Sequence, residues 1–282
     1  MKNLARPEVI KELLRENGFH FSKSLGQNFL TDENVLENIV ESACPDEKGV
    51  LEIGPGFGSL TQRLCQRAKK VVSVEIDSAV IPILEDNLKE CENFKLIHGD
   101  IMKEDLTALC QREFGDEKIK VCANLPYYIT SPVILRLLDP DLPIEDITIM
   151  IQKEVAERIN AKAGSKDYGV LTLTVGYYAT SEIVCIVPPS AFMPPPKVSS
   201  AVIKLTLRDK PPVEVKNTDT YFAIIKAAFA LRRKTLLNAL GSASLGKSKD
   251  EILAILEKSG IDPKRRGETL TDEEFARIAN KF

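Results

Sequence analysis

Histidine is almost missing from this chain: among 282 residues only His20 and His98 occur, and neither stands beside a nucleophile motif. Acyl transfer and histidine general-base catalysis therefore have little to work with. Cysteine pairs are missing too. Cys44, Cys65, Cys91, Cys110, Cys122 and Cys185 fall singly, mostly inside apolar runs, and no C-x-x-C spacing exists. They read as small core residues in a reducing compartment, and no metal is expected. No apolar run approaches the roughly 18 residues of a membrane span, and no apolar signal segment opens the chain, so a cytoplasmic location is expected. Net charge is also small, −3, which excludes a chain that binds nucleic acid by bulk charge alone.

What is present suits an enzyme with one large core and a small second domain, since 44% of residues are hydrophobic and 28% charged. The charge is unevenly spread. Residues 204–282 hold 16 Lys/Arg against 11 Asp/Glu, and residues 1–203 hold 22 against 30. An acidic front part and a basic tail follow.

The organising stretch is L-E-I-G-P-G-F-G at positions 51–58, with Gly54, Gly56 and Gly58 between an apolar run and an amphipathic one. Such clustering makes sense where a strand-to-helix turn needs φ > 0 and a ligand approaches the main chain. A second apolar run ends in Glu75, where a ribose-binding carboxylate belongs, about 20 residues past the glycines. A third ends in Gly99-Asp100 and a fourth in Asn124-Leu125-Pro126-Tyr127. In parallel sheets ligands bind outside the carboxyl ends of strands, so Gly54, Glu75, Asp100 and Asn124 are expected around one crevice. The glycine spacing is not the G-x-G-x-x-G of nicotinamide enzymes, and Glu52 just ahead of it suits a cationic ligand better than a pyrophosphate.

With N-L-P-Y at the fourth strand, the set resembles the S-adenosylmethionine-dependent N6-adenine methyltransferases. The ordered strings G-Q-N-F-L, E-I-G-P-G-x-G, N-L-P-Y-x-I, Q-K-E-V and F-x-P-x-P-x-V-x-S-A are similar to the bacterial family that dimethylates two adjacent adenines near the 3′ end of 16S ribosomal RNA. The resemblance implies an α/β, Rossmann-like class I methyltransferase fold with a mostly parallel seven-stranded sheet and a small C-terminal helical domain. It implies S-adenosylmethionine as cofactor and the small ribosomal subunit as partner. It places Asn28 and Leu30 at the methionine end of the cofactor, Gly54 beneath it, Glu75 at the ribose, Asp100 at the adenine amino group and Asn124 at the transferring methyl. Gln27, Gly56, Ile76 and Ile101 complete the expected cofactor set.

Taken in order, residues 6–17 have helical apolar spacing stopped by Gly18, an irregular Lys23–Leu30 stretch follows, and residues 35–43 form an amphipathic helix capped by Thr31 or Asp32. Strands are expected at Lys70–Glu75, Phe94–His98, 119–123 and 147–151, with helices at 131–138 and 155–163. Gln152-Lys153-Glu154 reads equally as a helix start or as a functional cluster. Residues 169–178 and 183–187 look like β-structure, and 198–207 like the last strand. The proline run between them reads as a rigid loop that holds Phe192 and Lys197 at the crevice mouth.

Pro211-Pro212 marks a linker, which gives a catalytic domain over 1–208 with an N-terminal helical arm and a helical domain over 209–282. Three helical stretches follow: Phe222 to Leu236, Ile252 to Leu256, and Phe275 to Ile278 with a Thr271/Glu274 capping box. Arg232-Arg233-Lys234 and Lys264-Arg265-Arg266 suit phosphate contacts, with a solvated helix face as the alternative.

For chemistry, the N6 lone pair of adenine is delocalised into its ring. Acceptors for the N6 protons, the Asn124 oxygen and a carbonyl at Leu125 or Pro126, would draw it out, while Tyr127 and Phe192 would stack on a base taken from its helix. Two other functions compete: mono-adenine methylation of 23S rRNA, disfavoured by chain length and by N-L-P-Y in place of N-I-P-Y, and RNA binding without chemistry, disfavoured by the intact Glu75, Asp100 and Asn124. A monomer is expected.

Overall fold

A computed structural model describes residues 2–19, 21–22 and 26–282; His20 and the first three residues of the irregular Lys23–Leu30 stretch lie outside them. The strands are β1 (Phe29–Leu30), β2 (Gly49–Ile53), β3 (Lys70–Glu75), β4 (Phe94–His98), β5 (Ile119–Asn124), β6 (Ile144–Gln152), β7 (Ala179–Val187), β8 (Phe192–Met193) and β9 (Ser200–Leu207). The helices are α1 (Pro7–Glu16), α2 (Glu33–Ala43), α3 (Ser59–Cys65), α4 (Ile81–Asn87), α5 (Leu106–Phe114), α6 (Thr130–Leu137), α7 (Lys153–Ile159), α8 (Val170–Tyr178), α9 (Thr218–Ala230), α10 (Leu236–Gly241), α11 (Lys249–Lys258) and α12 (Asp272–Ala279).

Seven strands form one sheet in the order β4-β3-β2-β5-β6-β9-β7. The pairs β3–β4, β2–β3, β2–β5 and β5–β6 are parallel, and β9 runs antiparallel to β6. This is the expected class I methyltransferase sheet. Parallel strands buried on both faces need continuous apolar runs, and every residue of β2 is buried. One core holds Leu36, Ile39, Val50, Val71, Met150 and Val202, and another holds Ile10, Leu13, Phe57, Ile83 and Leu84. After β2 the chain goes to β3 on one side and later returns to β5 on the other. The carboxyl ends of β2 and β5 thus flank the switch point where such sheets bind ligands.

Contacts divide the chain into two compact units, Met1–Ala156 with Thr180–Leu207, and Glu157–Ala179 with Arg208–Phe282. Residues Glu157–Ala179 pack in the second unit, not in the first as a linear division at 208 has it. The stretch expected as β-structure at 169–178 is instead the helix α8. Its β-branched and aromatic residues favour a strand locally, but a short run apolar on all sides has no decisive period. Packing decides: Tyr177 sits against the rings of Tyr221 and Phe222 of α9, and the N–H of Gly169 donates to Thr172 Oγ1 in the first turn. The expected helix from Phe222 to Leu236 is broken after Ala230, and α10 starts only at Leu236. Asp32 caps α2 through Asn34 N and Val35 N, Ser248 caps α11, and the Thr271/Glu274 box opens α12.

Cys110 and Cys122 are buried as small core residues, whereas Cys44 is exposed in a left-handed turn after α2. Among the described residues no helix is long and apolar enough to cross a membrane, and no group of three His, Cys, Asp or Glu could hold a metal ion.

The turn after β2 depends on glycine. Gly58 has φ of 93°, and a Cβ there would lie 3.0 Å from Leu84 Cδ1 and 3.3 Å from Leu88. Gly58→Ala is expected to cost about 1–3 kcal/mol through the left-handed backbone and the crowded core. The check is urea unfolding, where an unchanged midpoint would show that the turn relaxes freely.

Candidate active site

A cavity of about 330 Å³ opens at the carboxyl ends of β2 to β5. Every residue expected at the cofactor or the transferring methyl borders it: Gln27, Asn28 and Leu30 from the arm, Gly54 and Gly56 from the glycine turn, Glu75 at the end of β3 with Ile76 after it, and Asp100 and Ile101 after β4. Asn124, Leu125, Pro126, Tyr127 and Phe192 close the remaining side. Lys197 is exposed on the proline loop and lies outside the lining.

The glycine turn leaves room at the cavity floor. Gly54 has φ of 67° and a Cβ on it would meet nothing within 4 Å, whereas one on Gly56 would come 2.8 Å from the Phe29 ring. The Phe29 ring stacks on Phe57 at 4.2 Å with planes 1° apart, which anchors the arm to the turn. The backbone completes that anchor: β1 pairs antiparallel with β8, Phe29 opposite Met193 and Leu30 opposite Phe192, and the Thr31 N–H donates to the Ala191 carbonyl at 2.8 Å. Phe192 is therefore buried between arm and sheet, with one side on the cavity.

Glu75 is 6% exposed and its carboxylate accepts from Gly56 N at 3.3 Å and Asp77 N at 2.8 Å. Burial raises its pKa, and the N–H groups of Asp77, Gly56 and Ile76 oppose that rise only in part. Asp77 in turn accepts from Gln27 Nε2 at 2.6 Å, and Gln27 Oε1 accepts from Ser22 N at 2.8 Å. Both ends of the Gln27 amide are thus engaged by protein, which makes it a link between arm and β3. Asp77 was not expected here; the only sign of it is an acid two residues after Glu75, positioned to cap Ala79 N.

Asp100 uses Oδ1 to accept from Met102 N at 2.9 Å, and Lys103 Nζ stands 3.5 Å from Oδ2. Arg136 of α6 donates to the carbonyls of Met102 and Glu104 and so fixes this loop. At the end of β5, Asn124 Nδ2 donates to the Asn28 carbonyl at 3.1 Å. That bond settles the amide orientation and leaves Oδ1 as an acceptor with no protein partner among the described residues. The Pro126 carbonyl is taken by Ile129 N and Thr130 Oγ1, which leaves the Leu125 carbonyl as the open one of the two among the described residues. Tyr127 is held through its hydroxyl, 2.8 Å from Ser200 Oγ, and burial raises its pKa. Tyr128, also unexpected, is 56% exposed on the cavity rim.

Glu52 borders the cavity but is 1% exposed, and its Oε2 accepts from Thr61 Oγ1 at 2.7 Å and Ser73 Oγ at 2.6 Å. Glu52 was expected beside a cationic ligand; in the fold its carboxylate ties α3 to β3. Burial pushes its pKa to about 7 against hydrogen bonds that lower it.

In the second unit the two basic clusters meet, because Leu236 N donates to the Arg265 carbonyl and Leu237 N to that of Pro263. Two of the six cations are internal struts. Arg232 donates to the carbonyls of Lys166 and Tyr168 and pairs with Glu268 at 3.2 Å, and Arg265 grips both Glu274 oxygens at 2.6 and 2.8 Å. Arg233, Lys234, Lys264 and Arg266 have no ion pair among the described residues.

The Glu52 environment makes stability depend on pH. Its proton is held more tightly in the folded chain than at the ordinary value of 4.5, so its contribution is full below pH 4.5 and is lost as pH rises through about 7. Between those limits the ligand-free wild type should lose about 3 kcal/mol relative to Glu52→Gln, which keeps a neutral acceptor for both hydroxyls. Parallel urea titrations at pH 4.5 and 7.5 that show no differential loss would place an ordinary carboxylate there.

Comparison with known proteins agrees with this geometry. The family described as "Ribosomal RNA adenine dimethylase" matches residues 18–282. Ribosomal RNA small subunit methyltransferase A of Geobacillus thermodenitrificans is 51% identical over 99% of this chain and 97% of its own length. The protein of that name from Alkaliphilus oremlandii is 48% identical over 100% and 99%. Among solved structures, a dimethyladenosine transferase from Plasmodium falciparum superposes with a TM-score of 0.75 at 28% identity, covering 89% of this chain and 95% of that one. The 23S rRNA methyltransferase ErmE gives 0.66 at 27% identity over 90% and 99%. The chain belongs to the ribosomal RNA adenine dimethylase family.

Proposed function

We propose that the protein transfers methyl groups from S-adenosylmethionine to N6 of two adjacent adenines of 16S rRNA in the small ribosomal subunit. One observation supports the chemistry: Asn124 lines the cavity at the β2/β5 switch point, its Nδ2 held by the Asn28 carbonyl and its Oδ1 without a protein partner among the described residues. The donor set fits the cofactor. Two acids after β3 and β4, a glycine turn with open space above Gly54 and apolar walls at Leu30, Ile76 and Ile101 match a cationic sulfonium joined to a nucleoside. Glu75 would take the ribose hydroxyls, Asp100 the adenine amino group, and Asn28 and Leu30 the methionine end.

When bound, the cofactor supplies a sulfonium methyl that is already a strong electrophile. The chain's task is to make the adenine nitrogen nucleophilic. Asn124 Oδ1 and the Leu125 carbonyl would accept hydrogen bonds from the N6–H groups, draw the nitrogen toward tetrahedral geometry and free its lone pair, and the proton that N6 loses with each methyl gained would leave to water. A neutral acceptor suits the step because the amine becomes positive as the methyl arrives, and two fixed dipoles stabilise that charge without reorganising. Tyr127, fixed through Ser200, and Phe192 would hold the flipped base. Arg233, Lys234, Lys264 and Arg266 would grip phosphates, and the chain would act as a cytoplasmic monomer.

Asn124→Ala should lower methyl transfer by a hundredfold or more, since it removes one of two transition-state acceptors. Cofactor affinity should change little. The check is tritium transfer to unmodified small and large subunits in parallel: a wild-type rate for the variant would refute the acceptor argument, and transfer to large subunits alone would favour the 23S reading.

The RNA grip has its own check. The quadruple change of Arg233, Lys234, Lys264 and Arg266 to Ala should flatten the slope of log affinity against log salt by roughly 0.7–0.9 per lost contact. Arg232→Ala, which removes a strut, should lower thermal stability and leave that slope nearly unchanged. Equal slopes for wild type and the quadruple variant would make the patch a solvated helix face.

A further inference from the structure

The 3-10 turn Tyr127–Ile129 runs directly into α6, and its exposed residues fall on one side. Tyr128, Pro132 and Leu135 follow at intervals of four and three, the spacing of one helical face, while Val133, Ile134 and Leu137 are buried on the other. Tyr128 is 56% and Leu135 47% exposed. Three neighbouring apolar side chains in water are a costly arrangement for a surface helix, and Tyr128 is the sole aromatic among the large hydrophobic residues exposed in the described chain.

The ridge begins at the catalytic cavity. Tyr128 borders it, and a Cβ on Gly26 would touch the Tyr128 ring at 3.6 Å, so the ring rests against the arm at the rim. The far end lies beside a cation. Arg136, next to Leu135, holds the carbonyls of Met102 and Glu104, and Lys103 between them, 3.5 Å from Asp100 Oδ2, keeps 83% of its side chain exposed. An apolar ridge continuous with the cavity and edged by an exposed lysine suits bases and their phosphates, and an apolar protein segment would have no use for the lysine.

Resting on the function proposed above, we infer that Tyr128, Pro132 and Leu135 form the platform on which the RNA strand next to the flipped adenine packs. Tyr128 stacks on the adjacent base, and Leu135 carries the strand onward past Lys103. Extruding one adenine strips its neighbour of a stacking partner, and a rim aromatic restores one while the target base is inside. For a substrate with two adjacent adenines, that neighbour is the second target, held just outside while the first reacts.

The test uses the full chain and unmodified small subunits. Tyr128→Ala should raise KM for subunits about tenfold, Leu135→Ser should raise it severalfold, and Tyr128→Phe, which keeps the ring, should stay within twofold of wild type. Cofactor affinity by calorimetry should stay within twofold for all three. An unchanged KM for Tyr128→Ala and Leu135→Ser overturns the platform, and so does a loss of cofactor affinity that matches the KM effect, because the ring would then be closing the cofactor site through the arm. In a second arm, Leu135→p-benzoylphenylalanine is irradiated on the subunit: adducts to rRNA beside the methylated adenines support the platform, and adducts to a ribosomal protein overturn it. A wild type that transfers no methyl to small subunits would instead refute the parent function, an outcome separate from all of these.

Discussion

A buried carboxylate has to be satisfied, and the way Glu75 is satisfied builds much of the site. Its two oxygens accept from Gly56 N in the glycine turn and Asp77 N at the end of β3, so one side chain clamps adjacent strand ends together. Through Asp77 and Gln27 the clamp reaches Ser22 in the N-terminal arm. The arm then returns the favour, since the Asn28 carbonyl aims the Asn124 amide. The two sides of the cavity are thus joined through the arm, by the hydrogen bonds that tie Glu75 and Asp77 to Gln27 and by the one that ties Asn28 to Asn124, all between part-buried groups.

The arm earns its position with few residues. Leu30 opposite Phe192, Phe29 opposite Met193 and the Phe29–Phe57 stack give a two-residue strand enough apolar burial to stay docked, where two backbone pairs alone would fray. The same contacts explain why Phe192 is buried. It serves as cavity wall and arm anchor together, a double role that its place at the head of a proline run does not disclose.

Most of the sheet was legible from residues because parallel strands buried on both faces leave an unambiguous record: apolar runs that each end in a polar residue. Glu75, Asp100 and Asn124 stood out for that reason, and the three glycines marked the turn. Periodicity failed at Val170–Tyr178, where a run apolar on every side carried β propensity into a helix whose Tyr177 packs against Tyr221 and Phe222. It also missed that Glu157–Ala179 joins the C-terminal unit, because that grouping depends on long-range packing which no local signal encodes. Clusters of basic residues were visible, but which cations are free was not. Arg232 and Arg265 look the same in sequence as Arg233 and Arg266, and only the positions of Glu268 and Glu274 separate strut from surface.

That separation follows from geometry as much as from charge. Arg232 gathers two backbone carbonyls and a carboxylate on its Nη2, which ties the loop after α9 to Lys166, Tyr168 and Glu268. The loop so held brings residues 233–234 beside 263–266 through the Leu236 and Leu237 N–H groups. Placing four unpaired cations together costs self-repulsion in the free protein, which water screens at the surface and a polyanion would relieve on binding. Under the function proposed above, acids on the first unit would face a sulfonium cofactor and cations on the second an anionic RNA, so one chain would present opposite local potentials to two oppositely charged ligands. A uniform charge distribution would weaken both of those proposed interactions, and the small net charge of −3 conceals an acidic front part and a basic tail of opposite sign.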